Sequence, residues 1–254
     1  MIEVNNLHKG FNGVEILKGI STSFQPGETS LIIGQSGSGK TVFLKSLIGL
    51  HTPEEGTIIY DGRKNTEMSI EDKRLFRQEL GMVFQGSALF DSQTVEENVM
   101  FPLKMFTQQP EDEMLDRVNT VLKRVNLENS NGKYPAELSG GMQKRVAIAR
   151  AIVMNPRYLF CDEPNSGLDP QTSIVIDNLI QEITAEYQIT TVINTHDMNS
   201  VMEIGDKIVF LNKGYKAWEG SSKEIFKTDN ESVVNFVYSS NLFKKVRQAY
   251  LNDH

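Results

Sequence analysis

The octapeptide GQSGSGKT at residues 34–41 has the residue types and the spacing of a phosphate-binding loop. Its glycines would let the backbone curl so that successive N–H groups point at phosphate oxygens at a helix N-terminus. Lys40 would reach the β- and γ-phosphates, and the Thr41 hydroxyl would be a ligand of Mg²⁺. An ordinary Gly/Ser turn is the alternative, but an apolar run precedes the loop and a helical pattern follows it. The predicted nucleotide-binding residues are Gly34, Ser36, Gly37, Ser38, Gly39, Lys40 and Thr41.

Two adjacent carboxylates, Asp162 and Glu163, follow the apolar run YLFC. Ligands of an α/β sheet bind beyond the carboxyl ends of its strands. We therefore expect Asp162 to lie beside the phosphate-binding loop and to hold Mg²⁺ through its water shell. Glu163 would lie nearer the γ-phosphate and would orient the attacking water or accept its proton. A solvated turn is the alternative interpretation of such a pair.

Two weaker candidates, Gln85 and His196, also follow apolar runs. An imidazole N–H of His196 could donate a hydrogen bond to a γ-phosphate oxygen, and the Gln85 side chain could touch the metal or the water. Neither residue is informative alone, because a single His at a strand end is more often structural. Their interest comes from the motifs around them.

A second candidate anion site is the segment LSGG at residues 138–141, which begins a helical pattern. Ser139, Gly140 and Gly141 would form a nest of N–H groups at the helix N-terminus. The alternative is that Ser139 is only the N-cap of that helix. The chain would then have two phosphate-binding helix N-termini but one lysine-bearing loop, as expected if they complete different sites.

Strand and helix patterns alternate along the chain, and this alternation must position the candidate residues. Helical spacing dominates residues 86–135, and further helical patterns follow Ser139 and surround Ile176. The alternation predicts an α/β fold with a parallel, doubly wound sheet. Short strands are predicted at residues 2–4, 21–24, 29–33, 58–60, 158–161 and 190–193, with a closing strand pair at 207–217.

Composition and charge limit the possible classes of function. The 254 residues carry 26 Lys and Arg against 33 Asp and Glu, and the net charge of −7 argues against nucleic acid as a partner. No apolar stretch approaches the ~18 residues that cross a bilayer, and no secretory leader pattern begins the sequence, so we expect neither secretion nor membrane spanning. The single cysteine, Cys161, is expected to be a buried small hydrophobe.

The order of GQSGSGKT, VFQ, LSGGMQ, LFCDEP, SGLD and His196 resembles the nucleotide-binding subunit of an ABC transporter over residues 1–225. The resemblance implies an α/β fold: a P-loop NTPase core with a mostly parallel sheet, an N-terminal antiparallel β subdomain and a helical subdomain inserted at about residues 86–157. A C-terminal helical extension would occupy residues 226–254. The implied cofactors are ATP and Mg²⁺, and two copies of the chain would sandwich two ATP molecules.

The resemblance also implies roles within one copy. Gln85 would link the metal to the membrane partner, Asp162 would support Mg²⁺, and Glu163 would be the catalytic base. His196 would brace the γ-phosphate. Phe11 matches the aromatic residue that stacks on adenine in the family, although an isolated Phe more often belongs to a core.

Other roles would act between the two copies. Ser139, Gly140 and Gly141 would form the signature site that binds the γ-phosphate of the opposite copy's ATP. Asp169 would contact the opposite chain.

Three segments are similar to the ATPase of bacterial lipid-trafficking transporters of the Mla type: GSALFD, TVEENV and FPL, at residues 86–103. The GGM signature is similar to the same group, while Asn165 stands where Thr is commoner. This resemblance implies a peripheral protein at the cytoplasmic face of the inner membrane, moving phospholipid with permease subunits and an MCE-type lipid-binding protein.

Two alternatives remain open at this point. The chain could be the ATPase of an importer of amino acids or other small solutes, because other subunits choose the substrate. A different class is a soluble ABC ATPase of an assembly scaffold, which would need no groove for a membrane subunit.

Overall fold

The computed structural model describes residues 1–238 and residue 245. Short 3-10 turns lie at Asn65–Glu67, Pro135–Glu137 and Glu224–Phe226. The strands and helices, in chain order, are β1 (Ile2–Phe11), β2 (Val14–Phe24), β3 (Thr29–Gly34), α1 (Lys40–Ile48), β4 (Glu55–Tyr60), β5 (Arg63–Lys64), α2 (Ile70–Gln78), β6 (Leu80–Val83), α3 (Val95–Phe106), α4 (Glu111–Arg124), α5 (Gly140–Ile152), β7 (Tyr158–Asp162), α6 (Pro170–Tyr187), β8 (Thr190–Asn194), α7 (Met198–Ile204), β9 (Lys207–Asn212), β10 (Tyr215–Gly220) and α8 (Glu231–Val237).

The chain divides into two compact units. The first unit contains residues 1–68 and the described residues from 192 onward, and the second contains residues 69–191. The domain bounds expected from the sequence are drawn differently, and they stay a prediction.

The first unit begins with the antiparallel sheet β2-β1-β4-β5. Its first two strands are much longer than the short strands predicted from the sequence. The reason is that Asn12 and Gly13, both at positive φ, form a two-residue hairpin turn, so that Phe11 pairs directly with Val14. Gly13 therefore joins two long strands directly.

The same unit contains strands in the order β10-β9-β3-β8. β3 pairs in parallel with β9, and all six residues of β3 are buried. A parallel strand buried on both faces reads as a continuous apolar run, which is why its position was predictable. Because β3 ends at Gly34, it delivers the chain directly into the phosphate-binding loop.

The second unit contains the parallel pair β6 and β7, beside which β8 begins with a hydrogen bond from Thr190 N to Arg157 O. Helices α3, α4 and α5 lie between β6 and β7 in the sequence. Thr94 is the N-cap of α3: its side chain accepts from Glu97 N, and its own N–H donates to the Glu97 carboxylate. The α/β class is confirmed, with parallel strand pairs, an antiparallel N-terminal sheet and a helical stretch.

The C-terminal part contributes the antiparallel pair β9 and β10, as predicted, and then α8. Of the helical extension expected at residues 226–254, positions 239–244 and 246–254 lie outside the described residues. Throughout the described part of the chain, no helix combines the length and the apolar character needed to cross a membrane.

Candidate functional site

The backbone of the phosphate-binding loop follows a path that only glycine allows at two points. Gly34 has φ +150°, and a Cβ there would lie 2.2 Å from the carbonyl oxygen of Leu211. Gly39 has φ +103°, and a Cβ there would lie 2.9 Å from Leu17 Cδ2. These contacts explain why the sequence pattern demands glycine here.

The loop presents donors suited to an anion. Helix α1 has no side-chain cap and no acidic residue in its first turn, so its N-terminal N–H groups are directed at the loop. Lys40 Nζ donates to Gly34 O at 2.9 Å and Gln35 O at 3.2 Å, which keeps the ammonium at the loop. Ser38 Oγ is buried without a hydrogen-bond partner among the described residues. A phosphate oxygen fits this donor set.

The carboxyl end of β8 approaches α1 within the first unit. Asn194 Nδ2 lies 3.4 Å from the Thr41 hydroxyl, and Thr195 N donates to Ile32 O. His196 follows as an exposed residue. Asn194 was not among the predicted site residues, although a polar residue that ends an apolar strand just before His196 is a usable signal.

Phe11 lies at the end of β1 and is 41% exposed, so it is not a core residue. Lys9 Nζ lies 5.0 Å from the ring centroid, and the His51 ring makes an edge contact at 5.1 Å. Burial lowers the pKa of His51, and Lys45 and Lys9 lower it further. His51 is a second residue that sequence reasoning missed, because it follows α1 with no motif around it.

In the second unit, Gln85 and Glu163 meet. Gln85 Nε2 donates to Glu163 Oε2 at 2.9 Å and lies 3.4 Å from Ser166 Oγ. Glu163 has φ +47°, a strained conformation for a residue with a side chain, and it directly follows β7. Asp162 is the half-buried last residue of that strand. The arrangement fixes the Glu163 carboxylate through a neutral amide donor.

Ser139 and Asp169 are both helix N-caps. Ser139 Oγ accepts from Met142 N at 3.3 Å at the start of α5. Asp169 accepts from Thr172 N at 3.0 Å at the start of α6, and Thr172 Oγ1 donates to it at 2.5 Å. These bonds lower the pKa of Asp169. The capping interpretation therefore holds for Ser139, and its contact with a γ-phosphate stays a prediction.

The two signature glycines differ in their surroundings. A Cβ at Gly141 would lie 2.6 Å from Thr172 Cγ2, so α5 approaches α6 closely there. A Cβ at Gly140 would meet Leu168 Cδ2 at an ordinary 3.4 Å. Ser139 and Gly140 are exposed, which leaves this helix N-terminus accessible.

Within residues 1–238 and 245, no group of three or more His, Cys, Asp or Glu side chains could hold a metal alone. The predicted ligands Thr41, Gln85 and Asp162 offer hydroxyl, amide and carboxylate oxygens. Oxygen donors are what Mg²⁺ requires, and it binds proteins through few ligands, completing its shell with water and substrate phosphates. The donor chemistry therefore fits Mg²⁺ bound with a nucleotide.

The α/β fold and the glycine loop at a helix N-terminus place the chain in the class of P-loop nucleotide-binding proteins. More particularly, the chain belongs to the ABC transporter family, whose family model matches residues 17–166. It therefore carries an ABC ATPase domain.

Relatives and solved structures agree with this assignment. The chain is 40% identical over 233 residues to the probable ribonucleotide transport ATP-binding protein mkl of Mycobacterium tuberculosis, covering 92% of this chain but only 65% of the relative. It is 39% identical over 259 residues to the methionine import ATP-binding protein MetN 2 of Bacillus cereus, covering 100% of this chain and 73% of the relative.

The bacterial ABC transporter cassette MJ0796, solved as a dimer, is 33% identical, with a TM-score of 0.79 over 87% of this chain and 99% of that one. The same cassette in a post-hydrolysis state bound to ADP and Pi is 32% identical, also with a TM-score of 0.79 and the same coverage of 87% and 99%.

Proposed function

We propose that the chain is the ATP-hydrolysing subunit of an ABC transporter that dimerises on ATP and drives an inner-membrane permease from the cytoplasmic face. One observation carries the proposal: the 2.9 Å hydrogen bond from Gln85 to Glu163. These residues are 78 positions apart, so the fold, and not the local sequence, joins the two side chains predicted to act on metal and water.

The first unit supplies the groups that bind ATP. Lys40 and the N–H groups of α1 bind the phosphates, Ser38 adds a buried hydroxyl, and Phe11 stacks on adenine. The exposed ring of Phe11 and the unpartnered hydroxyl of Ser38 support these roles. Thr41, Asp162 and Gln85 would hold Mg²⁺, which when bound neutralises phosphate charge.

Hydrolysis is the attack of water on the γ-phosphoryl group, which yields ADP and phosphate. Glu163 orients the water or accepts its proton, and the amide of Gln85 keeps the carboxylate in place. His196 donates a hydrogen bond to a γ-phosphate oxygen. Catalysis of this kind consists mostly of positioning and charge stabilisation.

The proposed dimer uses the N-terminus of α5 as a second phosphate-binding site. Ser139, Gly140 and Gly141 form a nest without the lysine of a complete phosphate site, and α5 has no acidic residue in its first turn. In the proposed dimer this nest binds the γ-phosphate of ATP held by the other copy, and Asp169 lies at the interface. The dimeric state of the MJ0796 cassette supports this arrangement.

An apolar groove in the second unit supports a permease partner. Its cavity has a volume of about 280 Å³, and Phe84 and Phe90 in its lining are 41% and 40% exposed. Exposed aromatic residues around a cavity are typical of protein interaction sites. The remaining lining includes Met82, Phe101, Pro102, Phe106 and Met154, with Arg77 and Arg150 as the charged members.

Asn98 holds the loop that carries the groove residue Phe90. Its side chain accepts from Phe90 N at 2.8 Å and donates to the carbonyls of Phe90, Gln93 and Thr94 at 2.9–3.2 Å. Asn98 is fully buried in α3. The loop that carries Phe90 is therefore held in one conformation, as a docking surface requires.

We propose phospholipid as the cargo, moved between membranes with an MCE-type lipid-binding protein. The support is the Mla-like sequence at residues 86–103, which includes the groove residues Phe90, Phe101 and Pro102, together with the GGM signature. In this proposal the groove residues select the permease, and the permease selects the cargo.

Import of an amino acid such as methionine is the second candidate. A specific observation favours it: the similarity to MetN 2 extends over 100% of this chain, whereas the similarity to mkl covers 92%. The ATP-binding residues do not discriminate between the two cargoes.

The discriminating experiment is purification of the chain from membranes, followed by mass spectrometry of the intact complex. We expect permease chains, an MCE-type protein and bound phospholipid. ATP-dependent transfer of labelled phospholipid should follow on reconstitution and should vanish with Glu163→Gln. Methionine binding without lipid transfer would establish the importer instead, and a chain that fractionates alone would contradict transport altogether.

A groove variant tests the docking surface separately. Phe90→Asp should release the chain from the membrane complex, because it puts a charge into the apolar groove. Leu75→Asp is the matched control, since Leu75 is 54% exposed in the same unit but does not line the groove. Equal loss of binding in both variants would contradict docking at the groove.

A further inference from the structure

Lys144 is the one buried lysine of the described residues, with 5% exposure. It lies in α5, immediately after the signature segment, among fully buried apolar neighbours such as Val146 and Ala147. Lysine is rarely buried, because its ammonium loses water and must find hydrogen-bond acceptors inside the protein. Lys144 is not one of the predicted site residues.

The acceptor of Lys144 Nζ is the main-chain carbonyl of Gln85. Burial lowers the pKa of Lys144, while the Glu163 carboxylate opposes the shift. Cys161 itself is fully buried, and its thiol pKa is raised chiefly by burial, so that the thiol is neutral. The cation of Lys144 is thus directed at the residue that holds the Glu163 carboxylate.

Helix α5 also binds the segment of residues 85–88 through a second side chain, Arg150. Arg150 donates to Ser87 O at 2.7 Å and to Ala88 O at 2.8 Å. Ser87 and Ala88 have φ values of +61° and +48°, an uncommon conformation that needs support from its surroundings. Residues 85–88 are therefore fixed by two cations of one helix.

We propose that Lys144 is a positioning residue for hydrolysis: by holding the Gln85 backbone, it sets the side-chain bond from Gln85 to the Glu163 carboxylate. The proposal rests on the proposed ATPase function. It makes α5 a direct connection from the signature nest at its N-terminus to the predicted catalytic base. No covalent role for Lys144 is involved.

The test is a double-mutant cycle of ATP turnover in the purified chain with its permease complex. Lys144→Met keeps the buried volume but removes the donor. We expect a loss in kcat of about tenfold with an unchanged KM for ATP, because displacement of a catalytic group by a fraction of an ångström is costly. In the Gln85→Ala background the same substitution should change kcat less than about twofold, since the side chain that Lys144 positions is gone.

Several results would overturn the proposal. An equal loss of kcat in both backgrounds would show a general structural effect, and a raised KM with unchanged kcat would indicate a role in binding. Lys123→Met is the matched control, because Lys123 is exposed on α4, and it should leave turnover unchanged.

A second measurement does not depend on turnover. Hydrogen exchange at residues 85–88 should accelerate in Lys144→Met, and unaltered exchange would overturn the positioning role. If Lys144→Met does not fold, Lys144→Gln provides the same comparison with a shorter donor. A wild-type complex without ATP hydrolysis would refute the proposed function, whereas the exchange result would still decide whether Lys144 holds the segment.

Discussion

Replacement of Asn98 by alanine should destabilise the chain and loosen the groove together. The substitution removes a fully buried side chain that accepts one hydrogen bond and donates its two N–H groups, which three carbonyls share. A typical hydrogen bond contributes about 0.5–1.5 kcal/mol net, and part of the loss will be recovered because the loop carbonyls can bind water. We therefore expect the free energy of unfolding to fall by about 2–4 kcal/mol.

Thermal unfolding followed by circular dichroism measures this effect. For a chain of this size, the expected loss corresponds to a decrease in Tm of roughly 5–15 °C. Asn199→Ala is the control, because Asn199 is exposed on α7, and it should change stability by less than about 0.5 kcal/mol. An equally small effect of Asn98→Ala would refute the argument that this side chain holds the loop. The affinity for the permease should fall as well, because Phe90 of the groove loses both of its main-chain hydrogen bonds to the Asn98 side chain.

Three further substitutions test the site. Glu163→Gln should keep ATP binding but reduce turnover by about 10²–10⁴-fold and trap the dimer on size-exclusion chromatography with ATP; near-normal hydrolysis would exclude Glu163 as the base. Lys40→Ala should weaken ATP binding in calorimetry, since it removes the ammonium from the loop, and wild-type affinity would contradict that role. The stability that the Asp169 cap contributes should be present above the ordinary aspartate pKa of about 3.9 and be lost as the pH falls through the lowered folded value. Asp169→Asn should remove that acid-dependent part of the Tm profile, and an unchanged profile would show that the charge is irrelevant.

Much of the site could be predicted from the sequence because it depends on local constraints. The phosphate-binding loop requires glycine where an added Cβ would collide with neighbouring atoms, so the motif can be recognised from the sequence alone. The strand before Asp162 is buried on both sides and reads as an apolar run.

Other features depend on contacts across long stretches of chain. The bond from Gln85 to Glu163 and the bond from Asn194 to Thr41 join residues 78 and 153 positions apart. No spacing rule encodes such a pair. The burial of Lys144 could not be predicted either, because a lysine within a helix normally lies on an exposed face.

The N-terminal strands show a different limit. Gly10 and Gly13 resemble breaks in the sequence, yet only Gly13 is at a turn, while a Cβ at Gly10 would lie 2.8 Å from Val14 O inside the hairpin. Glycine therefore forms a turn at residue 13 but permits close approach of two strands at residue 10. Which of the two roles applies depends on strand pairing, and the sequence does not show that pairing.

The cap at Ser139 has a consequence for the reversibility of the proposed cycle. Its hydroxyl oxygen accepts from Met142 N, and the O–H of the same group can donate to a phosphate oxygen of the other copy without breaking the cap. The side chain is therefore held in position by its own helix before the dimer closes, and closure has little rotamer freedom left to remove there. When the phosphate leaves, the cap remains, and the exposed O–H can donate to water. In the proposed cycle the two copies can thus part without leaving that group unsatisfied.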